Sequence, residues 1–120
     1  MHRIVFYKTP RGDSPFETFL EGHNDKVRAK FSKLLKVLEE HGPDLKRPYA
    51  DILRDGIREL RVGLDGNAYR ALYFFFVGDF IVITHAFMKK ADRVPPEEID
   101  RALRCKSDFE NRLRRGEFEL

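Results

Sequence analysis

The chain has one cysteine, Cys105, in 120 residues. A single thiol excludes an internal disulfide framework and a cysteine-based zinc cluster, so a reduced, cytoplasmic protein is expected. No apolar run approaches the ~20 residues of a membrane span. The opening stretch MHRIVFYKTPRGD carries too much charge and too little apolar sequence for a secretory signal. Tryptophan is absent, so the core must come from eleven Phe with Leu, Ile and Val. There is no internal repeat, low-complexity tract or dividing linker, and one domain over residues 1–120 is the expectation.

What is present is a mildly basic chain: the net charge is +3, yet 36% of residues are charged. That balance suits a polyanionic partner while leaving most charges as ordinary solvated surface. Arg3 to Lys8 reads as a short strand. Ser14-Pro15-Phe16-Glu17 opens a helix, with a capping hydroxyl, Pro in the first turn and Glu three positions on. A second helix starts near Asn24 and ends at Gly42-Pro43. Its Val27, Phe31, Leu34, Leu35 and Leu38 form a core stripe. Its Lys26, Arg28, Lys30, Lys33 and Lys36 are either a solvated face or a surface that tracks RNA. Residues 44–56 read as an ordered loop pinned to the core by Tyr49, Ile52 and Leu53. Pro95-Pro96-Glu97-Glu98 opens a last helix with the stripe Ile99, Ala102, Leu103 and Phe109, followed by a frayed tail from Gly116 to Leu120.

Between these lies Ile57 to Lys90, three apolar, aromatic-rich runs separated by Gly/Asp turns. This is the pattern of a three-stranded antiparallel meander. The fold class expected is therefore α+β: an N-terminal strand, two helices, the meander and a C-terminal helix. A two-residue turn at Asp65-Gly66 sets Arg61 opposite Arg70. A second at Gly78-Asp79 sets Arg70 opposite Phe87 and Leu72 opposite His85. One face then carries Glu59, Arg61, Arg70, Leu72, His85, Phe87 and Lys89, with Phe74, Phe76, Ile81 and Ile83 toward its far end. The other carries Leu60, Val62, Ala71, Tyr73, Phe75, Val82, Thr84 and Ala86. Arg58 points to that second side. Facing arginines are unfavourable without an anion between them. Either Glu59 supplies it in an internal ion network, or the face is an open phosphate site, with Phe87 or His85 to stack a base.

The runs IRELR, YRALYFF and HAFMKK, followed by VPPEEIDRAL, together resemble the HigB-like, phage-associated branch of the RelE/ParE toxin superfamily. The order of elements fits over nearly the whole chain. The resemblance implies a compact RelE-like fold and the toxin of a type II toxin–antitoxin module. It further implies a metal-independent endoribonuclease that needs no cofactor and cuts mRNA, typically on the ribosome. The implied partner is a cognate antitoxin, usually a small helix-turn-helix DNA-binding protein. Carried over residue by residue, Arg61 matches the arginine of E-L-R and Arg70 that of Y-R. Lys89 and Lys90 match the lysine pair. In that scheme Arg61 and Arg70 hold the transition-state phosphate, and Lys89 acts as acid or with Lys90 binds the backbone. Phe87 contacts RNA and His85 is the candidate base, ahead of Tyr69 on the other face. The chain departs from some relatives in lacking a C-terminal tyrosine, its last being Tyr73, and in having Ala91 after the lysine pair. A gyrase-directed, ParE-like toxin and a non-catalytic binding module are the alternatives.

Overall fold

A computed structural model describes residues 2–118 and 120. Strand β1 (Arg3–Phe6) is followed by helices α1 (Pro15–Glu21) and α2 (Asp25–His41), and a single 3-10 turn covers Gly42–Asp44. Then come β2 (Ala50–Arg54), β3 (Ile57–Leu64), β4 (Asn67–Phe76), β5 (Phe80–Lys89) and α3 (Pro96–Arg114). The strands form one mixed sheet in the order β1-β5-β4-β3-β2, with β1 parallel to β5 and the other pairs antiparallel. The expected α+β class and the meander are present.

Helix starts follow from local chemistry. The Ser14 hydroxyl accepts the Glu17 N–H at 3.2 Å, and Asn24 Oδ1 accepts the Val27 N–H at 3.0 Å. Gly42 closes α2 at φ 54, and the His2 ring occupies the space a side chain there would need, so glycine is required twice over. Apolar side chains on α1 and α2 pack on one sheet face with Leu60, Val62, Ala71 and Tyr73. Ile99, Ala102, Cys105 and Phe109 of α3 pack on the other with Ile57, Leu72, Phe74 and Val82.

Three expectations need correction. Residues 50–54 are not loop but an edge strand, turned into β3 by Asp55 (φ 52) and Gly56 (φ 83), the paired positive angles of a hairpin turn. Within the segment Leu45 and Ala50 are buried, whereas Tyr49 and Ile52 are 47% and 64% exposed. An edge strand of five residues whose exposed positions are Ile52 and Arg54 has no clean alternation with which to announce itself.

Second, Phe76 pairs with Phe80, so the β4–β5 turn holds three residues, Val77 to Asp79. A β-bulge at Thr84 follows, because Tyr73 pairs with Ile83 while Leu72 pairs with His85. The odd turn and the bulge cancel at His85, and the expected pairs Leu72–His85 and Arg70–Phe87 hold. Between them the parity is inverted: Ile81 and Ile83 join the α1/α2 core, and Val82 joins the α3 core.

Third, the tail folds back as far as Phe118, whose ring centre lies 5.2 Å from that of Phe109 and 5.4 Å from the Arg112 guanidinium. Glu119 lies outside the described residues. No described helix is long and apolar enough to cross a membrane.

Candidate functional site

α3 covers only part of its sheet face. Its first turn lies over His85, where the imidazole Nε2 is 3.0 Å from Glu98 Oε1. Beyond that point the face continues through the buried Glu59 and Arg70 and the half-buried Phe87 to Arg61 and Lys89, which reach solvent at its end. The Asp65-Gly66 turn (φ 52 and 80) fixes this register, with Arg61 directly opposite Arg70.

The two arginines are not equivalent. Arg70 is 5% exposed and Glu59 6%, and Arg70 Nε donates to Glu59 Oε1 at 2.7 Å. Arg70 Nη1 also donates to the Tyr69 carbonyl at 2.9 Å. Burial pulls the Arg70 pKa down and the nearby Arg61 adds to this, while Glu59 opposes both. The group stays cationic at neutral pH. Arg61 is half-buried and has no acidic partner in ion-pair contact among the described residues. Both arginines line a shallow depression of about 370 Å³ with Arg47, Pro48, Gly63 and Ala68. Glu59 therefore neutralises one of the facing charges and leaves the other available to a ligand.

His85 is placed differently from the expectation of an accessible base. It is fully buried, stacked on Phe87 at 5.8 Å and 29°, with Nδ1 3.0 Å from Thr84 Oγ1. Burial drives its pKa below the usual imidazole value, to about 4; Arg101 and Arg104 push the same way and Glu98 resists. A neutral ring that donates from Nε2 to Glu98 faces the Thr84 hydroxyl with Nδ1. That hydroxyl shares its one proton between Nδ1 and the Leu72 carbonyl, so both ring nitrogens have protein partners. Phe87 and Lys89 are half-buried on the open face, Phe87 opposite Arg70 and Lys89 opposite Ala68. Lys90 is exposed, one residue past the strand. Tyr69 is buried in the α1/α2 core. Arg58 also points to that side, where it stacks over Phe75 at 5.0 Å and donates to the Pro43 carbonyl.

The sequence reading missed Arg47. It is held by Asp51 (Nε to Oδ2, 2.9 Å) at the rim of the depression. The signal is the local string Lys46-Arg47-Pro48-Tyr49, two cations and an aromatic immediately before β2.

The family model of the phage-derived Gp49-like proteins (DUF891) matches residues 18–107, which include Arg47 and every site residue from Glu59 to Lys90. No curated protein matches the chain.

Proposed function

The chain belongs to the phage-derived Gp49-like family, a RelE/toxin-like family, and we propose that it is the toxin of a type II toxin–antitoxin module acting as a metal-independent endoribonuclease on mRNA. The observation that carries this reading is Arg61: a cation without an acidic partner, set against a locked Arg70–Glu59 pair on the open end of a sheet face. RNA supplies its own nucleophile: the 2′-oxygen bonds to phosphorus as the P–O5′ bond breaks, leaving a 2′,3′-cyclic phosphate and a 5′-hydroxyl. The 2′-hydroxyl proton passes to solvent water, so the protein's task is to neutralise the pentavalent phosphate and protonate the leaving 5′-oxygen. In this reading Arg61 takes the phosphate oxygens, and the Arg70–Glu59 pair is the rigid, charge-compensated wall against which it is held. Lys89 is the proton donor and Lys90 binds the backbone. Phe87 offers a ring to a base, and His85 acts as the residue that positions that ring. The partners are mRNA, cut on the ribosome in the cytoplasm, and a helix-turn-helix antitoxin that neutralises the toxin.

Induced expression should arrest growth and generate internal mRNA ends. Arg61→Ala should reduce cleavage at least about 100-fold, the usual cost of losing a transition-state charge contact, with its melting temperature unchanged. Growth arrest with intact mRNA would overturn the reading and point to a protein target such as gyrase. A non-catalytic binding module has one observation in its favour, the buried Arg70–Glu59 pair. It requires that Arg61→Ala change neither growth nor RNA.

A further inference from the structure

Arg61 borders a second concavity as well. β2 ends its pairing at Ala50, opposite Leu60, and the Arg61 N–H then donates to the Tyr49 carbonyl at 2.7 Å. Upstream of Tyr49 the chain passes through Lys46 to Pro48 outside the sheet, so β3 beyond Arg61 has no outer strand. α2 flanks the gap, leaving a groove of about 500 Å³ lined by Lys30, Lys33, His41, Tyr49 and Arg61 among others, and by no acidic residue among those described. The basic residues of α2 are thereby sorted. Lys30, Lys33, Val37 and His41 follow a three- and four-residue spacing down the groove side. Lys36 stands on another side with Ile4, Phe6 and Glu39.

Three properties suit a ligand other than water. The formal charges lining the groove, Lys30, Lys33 and Arg61, are all positive, which favours a chain of phosphates over a neutral ligand. Tyr49 is a large ring left 47% exposed at its edge, a stacking surface with no role in the core. The groove and the Arg61–Arg70 depression share Pro48, Arg61 and Gly63, so one extended ligand can occupy both without a break. At the junction Gly63 has no side chain, and a Cβ built there would meet only the Asn67 carbonyl, at 3.9 Å. The opening at this saddle is set by the glycine itself.

We propose that this groove is the binding track for a single-stranded RNA, carrying its backbone from the Arg61–Arg70 depression along Lys30 and Lys33, with a base stacked on Tyr49. The proposal rests on the ribonuclease reading for the direction of the strand but not for its binding. A duplex presents no unstacked base and gains nothing from Tyr49, so single strands are preferred.

Fluorescence anisotropy with a labelled, fully 2′-O-methylated 12-mer RNA measures binding apart from cleavage, since the modified strand has no nucleophile. Lys30→Glu/Lys33→Glu should weaken binding at least tenfold. It should also flatten the dependence of log K on log salt by about 1.4, at ~0.7 per lost phosphate contact on a single strand. Lys36→Glu/Arg114→Glu makes the same change in net charge elsewhere and should leave affinity within about twofold. Tyr49→Ala should cost about tenfold. Gly63→Leu, which adds bulk without charge, should weaken binding with its melting temperature retained. Equal weakening by the two charge-reversal pairs would overturn the track, as would equally tight binding of duplex RNA. So would competition by poly-glutamate as effective as that by RNA, which would make the groove a site for an acidic protein segment. If the 12-mer binds as described while cellular mRNA stays intact, the ribonuclease reading fails and the track stands.

Discussion

Arg70 and Glu59 form a charge pair with almost no access to water, and the consequences of breaking it are lopsided. Removing Arg70 strands a carboxylate in the sheet, a change that costs about 3–5 kcal/mol. Replacing both partners with apolar residues removes the charge and its desolvation together and costs much less. In urea unfolding, Arg70→Ala should therefore be strongly destabilised, and Glu59→Leu/Arg70→Met should recover most of the loss. Equal destabilisation by single and double variants would show that the pair is not the source. It follows that loss of toxicity in Arg70→Ala alone cannot identify a catalytic arginine, whereas Arg61→Ala, with no ion-pair partner to abandon, can. The facing of Arg61 and Arg70 was legible in the sequence because an Asp-Gly turn fixes strand parity. Their unequal burial was not, since strand parity fixes which side chains share a face and not which of them is covered.

At the scale of elements, His85 joins β5 to α3 through Glu98. The folded protein keeps this ring neutral, with a pKa near 4, whereas an unfolded chain titrates near the ordinary value of about 6.5. Between those values the unfolded state binds a proton that the folded state does not, so stability falls as the pH drops through that window. The loss attributable to His85 is on the order of 2 kcal/mol by pH 5. Chemical denaturation at pH 7, 6 and 5 should show a steeper decline for the native protein than for His85→Gln, and parallel curves would mean the ring is not held neutral. The same segment shows why sequence reading reached this residue yet misjudged its neighbours. A three-residue turn and a one-residue bulge each invert the alternation of side chains. Together they restore it at His85 while leaving Ile81, Val82 and Ile83 reversed. No pattern in the string marks Thr84 as the extra residue; its hydroxyl, 3.2 Å from the Leu72 carbonyl, does so in the fold. β2 escaped notice for a related reason, since alternation is hard to see when one outward residue is Ile52.

Across the whole molecule, one sheet carries two separate cores, and α3, with Tyr7, Val94 and Phe118 at its margins, closes the second. Leu72, Phe74 and Val82 have no solvent exposure beneath it. Ile99 and Phe109 alone contribute about 3–6 kcal/mol through burial, against a total stability of about 5–15 kcal/mol for an ordinary domain. A chain ending at Val94 should therefore lose cooperative thermal unfolding and bind a hydrophobic dye, even though the candidate site residues, Arg47 and Glu59 to Lys90, all remain. A chain ending at Arg115 keeps the helix and forfeits the packing of Phe118 on Phe109 and Arg112, the exposed Arg115–Glu117 pair and the two backbone hydrogen bonds that close the helix. It should still melt cooperatively, about 1–2 kcal/mol less stable. Cooperative melting of the Val94 chain would show that the sheet and the α1/α2 layer suffice. The two truncations also bear on function. The first turn of α3 marks where the open cationic face starts, so the shorter chain should lose toxicity by losing the surface that presents Arg61, and the longer one should keep it.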